Sequence, residues 1–414
     1  MKRITVILIF AGYMNMVIAQ ETKHVLFLGN SYIYTNNMPA MAEALALSAG
    51  DTLTYQSNTP GGYTLNGHST NATSLDLIEQ GDWDFVVLQE QSQAPAFPIT
   101  QVESDVFPYA ELLDSLVRLH NPCAETVFFM TWGRENGDAA NCNFWPPVCT
   151  YEGMDDLLRE RYVQMASDND AVVCAAGAVW RHIRENFPDI ELYSADGSHP
   201  SAIGTYAIAC SFYSTLFNKP ASLITDNQGI EATTAETIRA AVDEIIFNNP
   251  AQWFIGAYPL TAQFGYDMIN ENTVQFNSPI ANADAAWNFG DGNTSNETNP
   301  THQYAANGSY SVSLTLDHCD QNATHQETIV INSSTINQVT APQITVYPNP
   351  SSHHLIIHGK DVVSFHIVNA QGQLVARFDK TALPFTLDLH NFSVGVYTIK
   401  LSDDSPVNVK FVVE

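Results

Sequence analysis

Two short segments of the chain carry residue types that together could perform nucleophilic catalysis. Ser31 follows the apolar run "VLFL" within Gly29-Asn30-Ser31, and His199 lies in "SADGSHPSAIG", three residues after Asp196. A serine hydroxyl becomes an effective nucleophile when a base removes its proton, and the base must itself be oriented by a third group. The Gly and Pro residues beside His199 allow the Asp196 carboxylate to turn back onto the imidazole. Ser31, His199 and Asp196 are therefore the candidate nucleophile, base and orienting carboxylate.

Each segment also has a purely structural explanation when it is taken alone. A serine after a strand can simply end the strand or cap a helix. Asp196 can cap the helix predicted for "SAIGTYAIACSFYSTLF", which would leave His199 as a surface residue. The catalytic interpretation therefore depends on the elements that bring the two segments together.

Those elements are short apolar runs that alternate with helical patterns from about residue 23 to residue 250. The runs are "HVLFLG", "TLTYQS", "DFVVLQE", "TVFFMTW" and "AVVCAA", and segments such as "MPAMAEALALSAG" separate them at helical spacing. Continuous apolar strands between helices predict a parallel sheet covered on both faces. Ligands bind at the carboxyl ends of such strands, where Ser31 is expected to lie.

Together the two segments resemble a known superfamily. "GNS" directly after the first strand and "DGSHPS" directly before the last helix resemble the first and fifth blocks of the SGNH (GDSL-like) hydrolases. The resemblance covers about residues 23–220 and suggests a domain over residues 20–250. It implies an α/β, flavodoxin-like three-layer fold in which Ser31 is the nucleophile, His199 the base and Asp196 the orienting group. It also implies catalysis without a metal or organic cofactor.

The same superfamily binds the oxyanion with the serine amide, a glycine amide after the second strand and an asparagine side chain after the third. "TPGGYTLNGH" supplies Gly62, with Gly61 as the alternative, although an ordinary turn also explains this segment. The third element departs from the pattern, because "VVLQEQSQAP" contains no asparagine. Gln89 is the predicted donor and Gln91 the second choice, since "LQEQS" resembles the Gln-Gly-Glu-Ser stretch of carbohydrate acetylesterases on this fold. The Ser31 amide completes the predicted oxyanion hole.

The loop "WGRENGDAANCNFWPPVCTYEGMDD" follows the fourth predicted strand on the same edge. Loops of this length in a compact domain are often functional. Trp132, Phe144 and Trp145 could form a platform for a sugar ring or an acyl chain, and an ordinary surface loop with a packed Trp explains them equally well. Arg134 is more simply a surface arginine than an anion-binding group.

The amino-terminal segment predicts export. Lys2 and Arg3 precede an apolar run too short to span a bilayer, and Ala19 ends a segment typical of a secretory signal peptide over residues 1–19. No later segment is long and apolar enough to cross a membrane, so we expect an exported, soluble protein. Export permits disulfides, and the spacing predicts a Cys142–Cys149 pair. The sequence leaves four cysteines unassigned: Cys123, Cys174, Cys210 and Cys319.

The charge of the chain excludes one class of partner. Sixteen Lys and Arg residues against 44 Asp and Glu residues give a net charge of −28. Such a field repels phosphate backbones and anionic membrane surfaces, so nucleic acid is not an expected partner. No His and Cys cluster has the spacing of zinc ligands, and no metal site is predicted.

After Pro250 the helical patterns end and alternating strands begin. "WNFGDG", "PTHQY" and "GSYSVSLTL" resemble the PKD domain, an immunoglobulin-like sandwich, over about residues 259–333. A spacer is the expected role, with glycan binding as the alternative. Trp287 and Phe289 are predicted to point inward, and the opposite sheet is predicted to be lined by Tyr310, Val312 and Leu314.

A third, all-β segment covers about residues 342–414. Its motifs "VYPNPSSHHLIIHG", "FHIVNAQGQLV" and "GVYTIKL" resemble, in order and spacing, the C-terminal sorting domain of type IX secretion substrates of Bacteroidetes. The resemblance implies that the type IX secretion machinery is a partner and that the protein reaches the cell surface or the medium.

These expectations favour an exported serine esterase that removes acyl groups, with acetyl groups on carbohydrate or a related small ester as the leading candidate. A lipase or acyl-thioesterase with the same machinery is the alternative among enzymes. A non-catalytic surface protein, whose PKD domain binds a glycan, is the alternative from another class.

Overall fold

The computed structural model describes residues 20–280, 283–319, 321–332, 344–347, 349, 351, 353–359, 362–370, 373–401 and 408–413. The chain forms two compact units, the first ending at Tyr258 and the second beginning at Pro259. The signal peptide predicted over residues 1–19 lies outside the described residues.

A parallel sheet forms the centre of the first unit. Within residues 20–280 its strands are β1 (Thr22–Leu28), β2 (Thr52–Asn58), β3 (Phe85–Leu88), β4 (Glu125–Phe129) and β5 (Val172–Cys174), in the order β2-β1-β3-β4-β5. This is the flavodoxin-like strand order, and it confirms the predicted α/β fold. Strand β3 and the second halves of β1 and β4 are apolar and buried because both faces of the sheet are covered there, whereas the edge strand β2 is mostly polar.

Two groups of helices supply the outer layers. One group packs around α9, which contacts α2, α8 and α10, and the other packs around α6, which contacts α3, α4, α5 and α7. Right-handed crossovers between parallel strands place such groups on opposite faces of the sheet. The helices are α1 (Ser31–Tyr34), α2 (Met38–Ser48), α3 (Leu65–Thr70), α4 (Ala72–Gln80), α5 (Ile99–Asp105), α6 (Phe107–His120), α7 (Tyr151–Asp168), α8 (Ala176–Asn186), α9 (Ala202–Phe217) and α10 (Ala232–Val242).

Helix α9 links the histidine segment to the core. Every residue from Gly204 to Phe217 is buried, so this helix is enclosed by the core on all sides. Phe212 meets Phe27 of β1 and Phe129 of β4 with ring centroids 5.3 and 5.0 Å apart. Burying each such ring contributes about 1.5–3 kcal/mol. The helix that begins just after His199 is thereby fixed to the strand that ends just before Ser31.

The core of the first unit extends beyond Pro250. Trp253 is 1% exposed and its Nε1 donates to the Ile245 carbonyl at 2.7 Å. A chain cut at residue 250 would therefore lose a core side chain, whereas a cut after Tyr258 would not.

The first half of the second unit is a β-sandwich. One sheet has the order β10-β7-β6 and the other β12-β11-β8-β9. Their inner faces share one apolar core, in which the rings of Phe276 and Trp287 lie 5.2 Å apart. The strands are β6 (Gly265–Asn270), β7 (Thr273–Asn277), β8 (Asp284–Asn288), β9 (Thr294–Ser295), β10 (Thr301–Gln303), β11 (Gly308–His318) and β12 (Gln321–Ile331).

One detail of the predicted sandwich is wrong. Trp287 and Phe289 are buried as expected, but the strand of Tyr310, Val312 and Leu314 belongs to the same sheet as Trp287. Strand β11 pairs with β8, and Leu314 is the register partner of Trp287. The alternation of apolar residues determines which side chains face inward, but it does not determine which strands pair.

The second half of this unit is also all-β. Its sheets have the orders β13-β14-β17 and β16-β15-β18-β19, and they enclose a core that includes Leu355, Phe365 and Ile399. The strands are β13 (Thr345–Tyr347), β14 (His354–His358), β15 (Val362–Asn369), β16 (Leu374–Ala382), β17 (Phe385–Asp388), β18 (Gly395–Leu401) and β19 (Asn408–Val413). Across the described part of the chain, no helix combines the length and apolar composition needed to cross a membrane.

Candidate active site

Ser31 is the first residue of α1, at the carboxyl edge of the sheet. Asn30 caps this helix, because its Oδ1 accepts the Tyr32 amide at 3.1 Å. Gly29 is required at the strand end, since a Cβ there would lie 2.6 Å from Gln89 Oε1. The chain therefore turns sharply out of β1 and presents Ser31 at the edge where ligands bind in parallel sheets.

The structure brings His199 and Asp196 to Ser31. His199 Nε2 lies 2.8 Å from Ser31 Oγ, although 168 residues separate them in the chain. His199 Nδ1 lies 2.6 Å from Asp196 Oδ2. This is the geometry that general-base activation of a serine requires: a base within reach of the hydroxyl and a carboxylate on its other nitrogen.

The loop holds the Asp196 carboxylate in its ionised form. Asp196 Oδ1 accepts the backbone amides of Ser198 and His199, both at 2.9 Å. Burial alone would raise the pKa of Asp196, but the hydrogen bonds from His199 and from these amides outweigh it and hold the pKa below its ordinary value. The carboxylate can therefore accept a hydrogen bond from His199 Nδ1–H and stabilise an imidazolium while staying ionised.

The Gly61-Gly62 turn lies beside Ser31. Asn30 Nδ2 donates to the Tyr63 carbonyl at 2.9 Å, which connects the residue before Ser31 to the residue after Gly62. Gly62 has a φ of +69°, a conformation that favours glycine. Among the described residues, no hydrogen bond occupies the amides of Ser31, Gly61 or Gly62. These amides are available to bind an anionic oxygen.

Gln89 lies at the end of β3 and is fully buried. Its Oε1 accepts the Asn30 amide at 3.0 Å, and its Nε2 donates to the Glu90 carbonyl. Gln91 is turned toward its own loop, where its Oε1 accepts the amides of Gln93 and Ala94. Both ends of the Gln89 amide thus have partners in the protein, and its carbonyl end holds the turn that presents Ser31.

Glu90 is a buried residue of the site that the sequence analysis did not single out. Its carboxylate accepts the amides of Leu65 at 3.1 Å and Gln91 at 2.5 Å, so it joins the end of β3 to the start of α3. Burial raises its pKa to about 7 despite these two hydrogen bonds. The spacing within "LQEQS" gives no sign that the glutamate points inward.

His68 was also missed. Its Nε2 donates to the Gly29 carbonyl at 2.9 Å, and the Ser74 hydroxyl lies 2.7 Å from its Nδ1. Burial lowers the pKa of His68, which favours the neutral ring that this arrangement needs. A single histidine in a polar segment carries no sequence signal for such a role.

Trp132 is fully buried, which rules out its place in an exposed platform and agrees with the alternative of an ordinary loop with a packed Trp. Trp145 is partly buried, and its Nε1 donates to the Ala96 carbonyl at 3.0 Å. Phe144 is 86% exposed and is the member of the three that remains on the surface. The burial of Trp132 arises from ring stacking with residues far away in the sequence.

The same loop is held together by a disulfide and a buried ion pair. Cys142 and Cys149 are bonded, which confirms that pairing, while Cys174 and Cys210 are buried free thiols. Arg134 lies 3.2 Å from the buried Asp138, so the arginine has a structural partner inside the loop.

Fold and site together define a class. The first unit is an α/β domain with its parallel sheet in the order β2-β1-β3-β4-β5, a serine after its first strand and a histidine before α9, which is the arrangement that the sequence resemblance implies. Two all-β modules follow it in the chain.

Family models identify these two modules. The PKD domain model matches residues 264–332, and the model of the secretion system C-terminal sorting domain matches residues 345–414. Both resemblances seen in the sequence are thereby confirmed. The sorting domain marks the protein for export by type IX secretion to the cell surface or the medium.

Individual relatives cover parts of the chain. A microbial collagenase of Vibrio alginolyticus is 44% identical over 75 residues, which are 18% of this chain and only 9% of the collagenase. A DUF4886 family protein from Bacteroides uniformis aligns with a TM-score of 0.48 and 16% identity over 55% of this chain and 96% of its own. A candidate SGNH hydrolase from Slackia heliotrinireducens aligns with a TM-score of 0.40 and 27% identity over 47% of this chain and 99% of its own.

Proposed function

We propose that the first unit is a serine esterase that hydrolyses acyl esters outside the cell. The observation that carries this proposal is the Ser31–His199–Asp196 chain, with contacts of 2.8 and 2.6 Å at the carboxyl edge of the sheet. No step of the proposed reaction needs a metal or an organic cofactor.

In the proposed reaction, Ser31 Oγ attacks the ester carbonyl carbon while His199 Nε2 takes the hydroxyl proton. The carbonyl oxygen becomes an oxyanion, which the amides of Ser31 and Gly62 bind. When the tetrahedral species collapses, His199 returns the proton to the departing alcohol and leaves an acyl group on Ser31. Water then attacks the acyl-enzyme with His199 again as the base, and the carboxylic acid is released.

Gln89 is proposed as the third oxyanion donor. In the reaction, Gln89 Nε2 would donate its hydrogen bond to the oxyanion instead of the Glu90 carbonyl, while Oε1 continues to accept the Asn30 amide. One donor of this kind contributes roughly 3–4 kcal/mol to the lowering of the barrier. The contact between Gln89 and Asn30 supports this assignment, because it places the side-chain amide next to the nucleophile turn.

Acetyl esters on carbohydrate are the proposed substrate class. Two observations support it: the resemblance of "LQEQS" to a stretch of carbohydrate acetylesterases, and a sorting domain that takes the chain to where polysaccharides are encountered. Lipid esters and acyl thioesters remain the alternatives, since the same residues could act on either.

The first test is turnover of p-nitrophenyl acetate by the full chain and by Ser31→Ala. We expect turnover that Ser31→Ala abolishes. Ser214→Ala is the matched control, because this serine is buried in α9 and its Oγ has no hydrogen-bond partner among the described residues. Ser31→Ala with wild-type turnover would contradict the proposal.

The substrate class is tested separately with acetylated polysaccharides, long-chain esters and acyl thioesters. We expect acetate release from the polysaccharide to be the fastest of the three reactions. Faster turnover of long-chain esters or thioesters would assign the alternative substrate. A wild-type chain that binds glycan but hydrolyses none of the three would instead be a binding protein.

A further inference from the structure

Two buried aromatic side chains converge on Ser198, the residue directly before His199. Tyr32, which directly follows Ser31, forms a hydrogen bond of 2.7 Å between its hydroxyl and Ser198 Oγ. Trp132, just beyond the end of β4, donates its Nε1 to the Ser198 carbonyl at 3.1 Å. Ser198 is thus held both by the nucleophile segment and by the central sheet.

The two rings belong to a stack that we call the aromatic column, formed by Trp180, Trp132 and Tyr32. Trp180 and Trp132 are parallel with centroids 3.9 Å apart, and Trp132 and Tyr32 are stacked at 4.9 Å. All three side chains are at most 2% exposed. Close-packed rings of this kind have little freedom to move, so the groups that bond to Ser198 are fixed in position.

The imidazole of His199 lies against one end of this column. Its ring meets Tyr32 edge to face at 5.4 Å. The side chains of His199 and Asp196 are 35% and 50% exposed, so the core does not enclose them. Asp196 belongs to the same loop as His199, and their contact fixes the ring relative to the loop without fixing the loop relative to Ser31.

Other contacts keep this loop attached when one Ser198 contact is removed. The Glu135 amide donates to the Gly197 carbonyl at 2.9 Å, and Asn36 Nδ2 donates to the Pro200 carbonyl at 3.2 Å. Loss of a single side-chain bond at Ser198 should therefore shift His199 slightly without unfolding the loop.

We propose that Tyr32 and Trp132 are positioning residues that act through Ser198 to keep His199 Nε2 within proton-transfer distance of Ser31 Oγ. The inference rests on the proposed esterase function. Proton transfer requires heavy atoms about 2.6–3.2 Å apart, and the observed 2.8 Å lies within that range. A displacement of about 1 Å can cost roughly 100-fold in rate.

The kinetic test uses Tyr32→Phe and Trp132→Phe, which remove one hydrogen-bonding group each and keep the aromatic column. We expect kcat for p-nitrophenyl acetate to fall by about 10-fold to 100-fold in each variant while KM stays nearly constant, because only alignment of the base is lost. Tyr213→Phe is the matched control: it removes a buried hydroxyl that bonds Asp51 at 3.0 Å, away from the site. It should leave kcat unchanged.

A double-mutant cycle tests the route through Ser198. Ser198→Ala removes the partner of the Tyr32 hydroxyl, so Tyr32→Phe should have no further effect on kcat in that background. Independent, multiplying effects of the two substitutions would show that Tyr32 acts by another path and would overturn the proposal.

A second readout does not depend on turnover. NMR of the full chain with isotope-labelled histidine detects the Nδ1 proton through which His199 bonds Asp196. The signal is assigned to His199 because it is lost in His199→Gln. We expect it to exchange with solvent faster in Tyr32→Phe and Trp132→Phe than in the wild type or in Tyr213→Phe. Unchanged exchange together with unchanged kcat would overturn the inference. If the wild type hydrolysed no ester, the esterase proposal would fail, and the proton exchange alone would still decide the positioning role.

Discussion

Replacing Asn30 with Asp tests whether the contact between Asn30 and the Gly62 turn supports catalysis. Asn30 is 2% exposed, and its Nδ2 donates to the Tyr63 carbonyl at 2.9 Å while its Oδ1 caps α1. Asp keeps the capping oxygen and replaces the donor with an acceptor. The lost hydrogen bond costs about 0.5–1.5 kcal/mol, and leaving the partly buried Tyr63 carbonyl unpaired costs about 1–3 kcal/mol more.

Together the two effects cost about 1.5–4.5 kcal/mol, which appears as lost stability or as lost catalysis. Where the turn stays in place, the free energy of unfolding falls. Where the turn moves away, the Gly62 amide leaves the oxyanion, and loss of one donor lowers kcat by about 100-fold to 1000-fold. We therefore expect Asn30→Asp to lower kcat strongly at about pH 8, where a carboxylate cannot donate to Tyr63.

The variant also has a distinctive pH dependence. A protonated Asp carries an O–H that can donate to the Tyr63 carbonyl as the amide did. The ratio of kcat in Asn30→Asp to kcat in the wild type should therefore rise as the pH falls, because the ratio cancels titrations that both proteins share. A ratio that stays constant with pH would refute the idea that a donor at this position matters.

Asn121→Asp is the matched control. Asn121 is also buried, and its Nδ2 donates to the Ile78 carbonyl at 2.7 Å. It lies between α6 and the start of β4, at the edge of the sheet opposite Ser31. This variant should lose stability and keep its kcat. Equal losses of kcat in two folded variants would show that general loosening explains the effect at Asn30.

Three further predictions concern other parts of the chain. Gln89→Ala should lower kcat by about 100-fold to 1000-fold with little change in KM, because the oxyanion exists only in the transition state; if neither Gln89→Ala nor Gln91→Ala reduces kcat, the site relies on backbone amides. A chain ending at Tyr258 should keep its activity on a soluble ester, since the whole proposed site precedes that residue, and a folded but inactive truncated protein would contradict this. Burial raises the pKa of Glu90 from 4.5 to about 7. Between these two pH values the native state binds more protons than the unfolded state. The free energy of unfolding should therefore fall by about 3 kcal/mol as the pH rises from 4.5 to about 7. Urea unfolding across this range measures the slope, and Glu90→Gln should flatten it.

The sequence was sufficient for the parts of the site that depend on local order. The apolar run before Ser31 and the helix after His199 predict where each residue lies on an α/β frame, and the structure has the strand order that this frame requires. The short separation of Asp196 and His199 likewise limits how they can meet. These features depend on residues that are close together in the chain, so a single sequence is enough to predict them.

The sequence was not sufficient where the partners are distant in the chain. The sequence left open whether Trp132 is exposed or packed, and it is buried, because its stacking partners Tyr32 and Trp180 come from separate elements. The orientation of the Gln89 amide depends on the Asn30 amide, which belongs to another strand end. The periodicity of apolar residues does not predict such contacts, because they form only when distant segments meet in the assembled sheet.

The distance in sequence between Ser31 and His199 has a consequence for biosynthesis. The ribosome makes Ser31 168 residues before His199, and α9, which fixes the histidine segment to the core, is complete only at Phe217. A growing chain or a proteolytic fragment that ends before Phe217 carries the serine without a positioned histidine. Hydrolytic activity would thus appear late and in one step, when α9 packs against the sheet, and a partly synthesised chain would be harmless to esters in the cell that makes it.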